Sequence, residues 1–173
     1  MIKHIIEPSL VKAGDTFLFS DLNIRVLWPE DGIMITDSNE GSLVLYMEYK
    51  GLKLLFTGDI GEISENALIE NYENVLDCHI LKVAHHGSRY SSSESFLKAV
   101  SPMVALISAG EGNSYGHPHI EALERLESFG SSMYVTAWDG EVIIKKHQKK
   151  LKVVVWKGND VYNRYVAAMC GKK

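Results

Sequence analysis

The sequence predicts a mixed α/β fold, in which helices pack on a β-sheet of mixed strand directions. Short apolar strands open the chain, helix and strand patterns alternate in its middle, and strands return near its end. This combination is typical of a mixed sheet with flanking helices. With 173 residues, 46% of them apolar and 23% charged, the chain has an ordinary globular composition. We therefore expect residues 1–173 to form a single domain.

The first third of the chain contains four strand candidates. Residues 16–19 (TFLF) and 23–29 (NIRVLWP) lie on either side of a short turn. Residues 42–49 (SLVLYMEY) and 52–59 (LKLLFTGD) surround the Lys50-Gly51 pair, which predicts a hairpin. The second arm of this hairpin is apolar enough to lie in a sheet that is covered on both faces.

The middle of the chain alternates between helix and strand. Ile63, Ala67 and Ile69 predict a helix over 62–72, and the apolar run CHILKVA predicts a buried strand over 78–84. A capping box of Ser91 and Glu94 predicts the start of a second helix, which runs to about Val100. A strand is predicted over 103–108. A third helix has Pro118 in its first turn and apolar residues at helical spacing, namely Ile120, Leu123, Leu126 and Phe129.

The last third returns to strands. Residues 133–137 (MYVTA) and 141–146 (EVIIKK) predict a closing hairpin around Asp139-Gly140, and residues 151–156 (LKVVVW) predict a further strand. Residues 161–173 are expected to form a short helix. The role of the tail, residues 157–173, is left open.

The bulk properties exclude several classes of protein. The formal net charge of −4 gives no overall basic field for a polyanion. Cys78 and Cys170 are the only cysteines and form no CxxC motif, so neither a disulfide scaffold nor a thiolate zinc site is indicated. No apolar stretch approaches the roughly 18 to 20 residues of a membrane span, and the start does not read as a secretory signal. We expect a soluble chain.

Three polar clusters follow consecutive strand candidates. They are Thr57-Gly58-Asp59, His85-His86-Gly87-Ser88, and the run from Asn113 to His119 that contains Tyr115, His117 and Pro118. Loops at strand ends commonly carry chemistry because the sheet fixes them while their side chains stay exposed. One carboxylate and four imidazoles are the ligands that zinc, manganese or iron prefers. The clusters therefore favour a shared metal or phosphate site, although each alone also fits a turn, a loop pair or a helix cap.

The adjacent histidines His85 and His86 call for a division of roles. Neighbouring side chains in an extended or turning segment point in different directions. Both imidazoles are therefore not expected to bind one ion by the same approach. We expect one on the metal and the other beside it, donating a hydrogen bond to a substrate oxygen.

Residues 41–140 resemble the metallo-β-lactamase-fold domain of ComEC-type competence proteins. The motifs that carry the resemblance are TGD at 57–59, HHGS with the serine cluster that follows it, and NSYGHPH at 113–119. Weaker matches in AGDTFLF and IRVLWP extend the resemblance to about residues 13–155. It implies a four-layer αβ/βα sandwich, with metals at one edge of its two sheets, of which this chain is the C-terminal part.

The resemblance also implies roles for individual residues. Asp59 would be the bridging carboxylate of the metal site and His86 a histidine ligand. His85 would face the substrate phosphate, and His117 would stand near the leaving oxygen. The residues expected to bind substrate are Ser88, Asn113, Tyr115 and His119.

The implied reaction is hydrolysis of a phosphodiester by a water activated between two divalent metal ions, zinc or manganese. In competence proteins the domain is expected to act as a nuclease on incoming DNA. DNA or another phosphodiester is then the substrate. The expected parent is a polytopic bacterial membrane protein, with this domain on a side of the membrane that the sequence does not reveal.

One family motif, HxHxDH, does not occur before residue 13, where His4 is the only histidine. That motif supplies most of the metal ligands in the family. The chain is therefore expected to correspond to the second half of the fold, to bind metal weakly or not at all by itself, and to be inactive alone. Half a fold would also expose apolar sheet surface, which favours a homodimer.

The alternative is a catalytically dead module that keeps the fold as a nucleic-acid or partner-binding surface. Its support is the basic stretch KKHQKKLK, Lys145 to Lys152, where phosphate contacts would make affinity fall steeply with salt. Lysines that guard an exposed hairpin explain the same stretch. Trp138 and Trp156 flank it and are expected in the core.

Overall fold

A seven-stranded mixed sheet runs through the centre of the structure. The computed structural model describes residues 10–35, 37–147, 150–158 and 160–168. The strands follow one another in chain order across the sheet: β1 (Thr16–Phe19), β2 (Leu22–Trp28), β3 (Val44–Tyr49), β4 (Leu52–Phe56), β5 (Ile80–Lys82), β6 (Val104–Ile107) and β7 (Ser132–Val135). Strands β1 to β4 are antiparallel and β4 to β7 are parallel. The predicted mixed sheet is confirmed.

The turn at Lys50-Gly51 explains why β3 and β4 pair as a hairpin. Both residues have positive φ, 49° and 74°, the conformation of the two-residue turn whose twist matches that of the flanking strands. Between β2 and β3 the described part of residues 30–42 contains neither helix nor strand, which agrees with the polar sequence of that segment.

Three helices cover one face of this sheet. They are α1 (Glu62–Tyr72), α2 (Glu94–Val100) and α3 (Ile120–Ser128). Their buried side chains, such as Leu68, Phe96 and Leu126, form one core with Leu55 and Leu81 of the sheet. The predicted bounds of α1 agree with the structure, since the helix begins and ends at the predicted residues.

A second, three-stranded sheet covers part of the opposite face. It consists of β8 (Glu141–His147), β9 (Lys150–Lys157) and β10 (Asp160–Ala168), in the order β10-β9-β8. Leu151, Val153 and Val155 of β9 pack on Ile80 and Val104 of the large sheet. The described residues thus form three layers: the helices, the seven-stranded sheet and the three-stranded sheet. This arrangement fits part of the sandwich that the resemblance implies.

Two predictions for the C-terminal third are wrong. Strands β7 and β8 do not form a hairpin, because the short helix α4 (Thr136–Asp139) carries the chain from one sheet to the other. The tail is not a helix over its described part, since β10 pairs antiparallel with β9. Alternation of the apolar residues predicts a strand but does not specify its partner. The last residues, 169–173, lie outside the described part, as does His4.

The two tryptophans expected in the core are half exposed instead, with 51% of Trp138 and 50% of Trp156 accessible. In β9 the residues at odd positions, Leu151, Val153 and Val155, face the other sheet. Since successive side chains of a strand point to opposite faces, Trp156 lies on the outer face.

The starts of α2 and α3 lie later than predicted. The N-cap of α2 is Ser93, whose Oγ accepts a hydrogen bond from the backbone N–H of Phe96 at 3.3 Å, and not Ser91. The N-cap of α3 is His119, so Pro118 precedes the helix. The Glu65 carboxylate accepts the backbone N–H groups of Ser92 and Ser93 and holds these residues in the loop before α2.

A large apolar area of the central sheet is not covered by β8–β10. Cross-strand pairing places Phe17, Phe19, Leu22, Ile24, Met47 and Tyr49 on one face of β1, β2 and β3. These six side chains, here named the open apolar face, are half-buried or exposed. The opposite face of the same strands combines the polar residues Asn23, Arg25 and Glu48 with Tyr46 and Val44, which are buried in the core beneath the helices.

Within the described residues, no helix is both long enough and apolar enough to cross a lipid bilayer.

Candidate active site

The three polar clusters meet at one edge of the central sheet. Strands β4, β5 and β6 are parallel, so their carboxyl ends lie at the same edge. Asp59 follows β4, His86 follows β5, and Ser108 begins the loop after β6. In open α/β sheets this edge is where ligands bind, because each strand delivers a loop to it.

The first cluster, Thr57-Gly58-Asp59, is tied to the end of β5. The buried hydroxyl of Thr57 donates to the backbone oxygen of Lys82 at 2.7 Å. Gly58 has a φ of +54°, and a Cβ there would lie 2.6 Å from Cβ of Ser42. Only glycine fits this position, and its turn leaves the Asp59 carboxylate partly exposed at the edge.

The second cluster, His85-His86-Gly87-Ser88, forms a tight 3₁₀-type turn in which both histidines have left-handed backbone conformations. Their φ angles are 47° and 54°. His85 N donates to the carbonyl oxygen of Gly58 at 3.0 Å and joins the second cluster to the first. This conformation is uncommon for residues with a side chain, and strain of this kind concentrates at functional sites.

The third cluster, residues 113–119, packs directly on the second. His119 N donates to the carbonyl oxygen of Gly87 at 2.9 Å. Gly87 has a φ of +81°, and a Cβ there would lie 2.7 Å from Cβ of Pro118. The side chain of Asn113 braces this loop, since it accepts from His117 N at 2.9 Å and donates to the carbonyl oxygens of Gly110 and His117.

All four predicted imidazoles lie together, with His117 in the middle. Its ring centroid is 4.7 Å from that of His119, 5.5 Å from that of His85 and 6.2 Å from that of His86. Burial lowers the pKa of His117, and the neighbouring His119, His85 and His86 lower it further, while Asp59 opposes the shift. The cluster therefore favours a neutral His117 at neutral pH.

Asp59 and His86 approach each other closely enough to share an ion. Nε2 of His86 lies 3.8 Å from Oδ1 of Asp59, and two ligands of one tetrahedral zinc, each at about 2.0 to 2.2 Å, lie about 3.4 Å apart. Nδ1 of His86 lies 2.6 Å from the carbonyl oxygen of Ser108. A backbone acceptor for the second ring nitrogen is the usual arrangement around a ligating histidine.

The donor set near this pair is incomplete as a metal site. Over the ranges that the structure describes, no group of three or more His, Cys, Asp or Glu side chains is arranged to hold an ion. A closed or catalytic zinc site uses three or four protein ligands. Asp59 and His86 fit two positions of such a site and do not form one by themselves.

The predicted substrate-binding residues differ in their exposure. Tyr115 is exposed, and its ring stacks on that of His117 at 5.8 Å. Nδ1 of His119 accepts from Arg89 N at 3.2 Å. Ser88 is buried, and its Oγ accepts from Tyr90 N at 3.3 Å. Of the four, Tyr115 is the one whose side chain the structure leaves most open to a ligand.

Lys82 is a site residue that the sequence reasoning missed. It is the last residue of β5, and its Nζ donates to the carbonyl oxygen of Val83 at 3.1 Å. Burial lowers the pKa of Lys82, while the nearby Asp59 carboxylate raises it. The available signal was a single lysine inside the otherwise apolar run CHILKVA, a position where a charge needs a partner.

Comparison with known proteins agrees with this geometry. The Metallo-beta-lactamase superfamily matches residues 9–111. The chain is 36% identical over 132 residues to ComE operon protein 3 of Bacillus subtilis, a match that covers 76% of this chain and 17% of that protein. It is 30% identical over 141 residues to Recombination protein 2 of Haemophilus influenzae, covering 82% of this chain and 17% of the relative.

A third relative is Competence protein ComA of Neisseria gonorrhoeae, 38% identical over 104 residues, which are 60% of this chain and 15% of that protein. The chain thus spans about a sixth of the length of the curated relatives it matches. The motifs TGD and HHGS lie within the range that the family matches, and NSYGHPH begins two residues after that range ends. The chain belongs to the metallo-beta-lactamase superfamily, as its resemblance to ComEC-type competence proteins predicted.

Proposed function

We propose that this chain contributes to the active site of a metal-dependent phosphodiesterase, a nuclease that acts on DNA during its uptake. The observation that carries the proposal is the 3.8 Å approach of Asp59 and His86 at the edge where four imidazoles also gather. Relatives whose names refer to competence and recombination support DNA as the substrate.

Asp59 and His86 are proposed to supply two metal ligands, with zinc or manganese as the ion. When bound, such ions would lower the pKa of a coordinated water to near 7 and so would supply a nucleophile at neutral pH. The remaining ligands have to come from outside the described residues. We therefore expect this chain by itself to bind metal weakly and to hydrolyse phosphodiesters slowly or not at all.

His85 and His117 are proposed to face the substrate. Their rings form an edge-to-face pair at 5.5 Å, beside the proposed metal ligand His86. A neutral imidazole with one N–H group can donate to a phosphate oxygen, and donors aimed at developing charge stabilise the transition state. We also propose that Tyr115 and His119 contact the substrate, although Nδ1 of His119 already accepts a hydrogen bond from Arg89 N. Ser88 and Asn113 contribute by holding their loops in place.

Two partners belong to the same proposal. The relatives named for competence favour a bacterial membrane protein as the parent of this domain, with the side of the membrane left open. The open apolar face favours a homodimer of this chain, because exposed apolar sheet surface is stabilised by a partner that covers it.

Hydrolysis of bis(p-nitrophenyl) phosphate with added Mn²⁺ or Zn²⁺ tests the enzymatic proposal. The wild-type chain is compared with Asp59→Ala and His86→Ala, and His147→Ala, an exposed histidine at the end of β8, is the matched control. Where a longer protein that contains this chain exists, the same variants are also assayed in that longer protein. Where the wild type has a measurable rate, loss of that rate in the first two variants alone is the expected result. Equal and measurable rates in all four proteins would remove the metal assignment.

A further inference from the structure

A cavity of about 200 Å³ opens beside the histidine cluster. It is lined by His86, Ala109, Gly110, Asn113, Tyr115 and His117. Four of these residues, His86, Asn113, Tyr115 and His117, belong to the polar clusters of the candidate active site. A group that occupies the cavity therefore lies directly beside that site.

The wall of this cavity contains a series of nearly parallel rings. Tyr115 and His117 are inclined by 20° with centroids 5.8 Å apart, and His117 and His86 are inclined by 21° with centroids 6.2 Å apart. These separations are typical of offset-stacked aromatic pairs. Tyr115 is 77% exposed, so much of its surface is open to another planar group.

The loop that completes the cavity is held in place before any ligand binds. Ala109 N donates to Oγ1 of Thr136 at 2.9 Å, and the same hydroxyl donates to the carbonyl oxygen of Ala109 at 2.8 Å. Asn113 bonds both to Gly110 and to the backbone of His117. A preformed site of this kind loses little conformational entropy when a ligand binds.

The size and chemistry of the cavity fit one planar ring rather than a whole ligand. Pockets that enclose a complete drug-sized molecule measure about 300 to 1,000 Å³, so this cavity accommodates only one group of a larger substrate. Ring faces together with Ala109 and Gly110 offer mainly apolar contacts and favour a flat, polarisable group. In a nucleic acid, a base is the planar group that lies next to each phosphodiester.

We propose that this cavity is a base subsite, in which the nucleobase beside the scissile phosphate stacks against Tyr115. This inference rests on the proposed function and names its substrate class as single-stranded or end-frayed nucleic acid. A base inside a duplex is already stacked on both faces and is not free to enter, whereas single strands bind readily to exposed aromatic rings.

The test is an NMR titration of the metal-free, ¹⁵N-labelled chain with thymidine 5′-monophosphate and, separately, with 2-deoxyribose 5-phosphate. The two probes share the sugar and the phosphate and differ in the base. The nucleotide is expected to bind about tenfold more tightly and to shift the amide signals of Ala109, Gly110 and His117. Equal affinities, or no shifts at these amides with the nucleotide, would overturn the base subsite.

Variants separate stacking from other causes. Tyr115→Ala should reduce the affinity for the nucleotide to that of the sugar phosphate, whereas Tyr115→Phe should keep the preference. Tyr90→Ala is the matched control, because Tyr90 is equally exposed at 77% but does not line this cavity. A preference that survives in Tyr115→Ala would exclude the proposal. Since the assay needs neither metal nor turnover, the subsite and the hydrolytic function can fail independently.

Discussion

Nδ1 of His86 lies 2.6 Å from the backbone carbonyl oxygen of Ser108, at the end of the neighbouring strand β6. A carbonyl oxygen only accepts hydrogen bonds, so Nδ1 carries a proton, and in the neutral ring Nε2 then presents its lone pair. That lone pair lies on the atom 3.8 Å from the Asp59 carboxylate. The backbone of β6 therefore sets the tautomer of His86 before any ion arrives.

The first prediction concerns metal affinity. His86→Gln and Asp59→Asn each replace a metal-ligating imidazole or carboxylate with an uncharged amide of similar size. Each should weaken Mn²⁺ or Zn²⁺ binding by at least about tenfold. Isothermal titration calorimetry of the chelator-treated chain measures the effect. His147→Gln controls for the loss of a histidine elsewhere.

The wild-type chain itself should bind these ions weakly, because the described residues offer two ligands at the site and no larger group. Elemental analysis after chelator washing and metal reloading provides an independent check. Two tightly held ions per chain would contradict the prediction, and so would unchanged affinity in both variants.

The second prediction concerns the contact between Gly87 and Pro118. Gly87→Ala would combine an unfavourable φ of +81° with a Cβ 2.7 Å from Cβ of Pro118. Gly130→Ala is the matched control, because its φ is +75° but no atom lies within 4 Å of the added Cβ. We expect Gly130→Ala to cost about 1 kcal/mol and Gly87→Ala about 2 to 4 kcal/mol.

Urea denaturation of the two alanine variants measures these costs. If the two variants lose the same stability, backbone conformation alone accounts for both, and the packing of the second cluster on the third contributes nothing. A larger loss in Gly87→Ala should also disturb the amide signals of His119, whose N–H donates to the carbonyl oxygen of Gly87.

Local patterns in the sequence predicted the helices and strands better than they predicted which strands pair with each other. The span of α1 and the β3–β4 hairpin were predictable, since helical periodicity and a two-residue turn are local signals. The separation of β7 from β8 was not, because Thr136–Asp139 contains no Gly or Pro to announce a change of sheet. The gathering of Asp59, His86 and His117 followed from parallel strands, whose carboxyl ends share one edge.

Buried polar residues are a further feature that the sequence pattern does not show. In α1, Ile63 is exposed, whereas the buried positions include Ser64 and Glu65. Their partners, Glu40 and the backbone of residues 92 and 93, are distant in the sequence. Periodicity assigns apolar residues to a face and has no means of showing such long-range hydrogen bonds.

The third prediction concerns the pH dependence of stability through Glu65. Burial raises the pKa of this carboxyl above its ordinary value near 4.5, and the N–H groups of Ser93 and Ser92 and the charge of Arg125 only partly offset the shift. Between the ordinary and the raised pKa the folded state binds more protons than the unfolded state. The free energy of unfolding therefore falls as the pH rises through this interval.

Glu65→Gln removes this titration. The stability of the wild type relative to Glu65→Gln should decline as the pH rises from the ordinary pKa of 4.5 through the raised pKa, which urea denaturation at several pH values measures. Glu70→Gln, at an exposed position on the same helix, controls for the change in net charge. A difference between wild type and Glu65→Gln that stays constant or grows with pH would contradict the assigned shift.

The fourth prediction concerns self-association through the open apolar face. Phe19 and Leu18 are neighbours on the edge strand β1, 60% and 74% exposed, and point to opposite faces of the sheet. Phe19→Ser should weaken a homodimer that buries the open apolar face, because it removes apolar area from the interface. Leu18→Ser should leave the dimer intact.

Multi-angle light scattering across a concentration series compares the two variants with the wild type. Equal weakening in both variants would instead indicate pairing of β1 edges, and a wild-type chain that stays monomeric at high concentration would exclude the dimer.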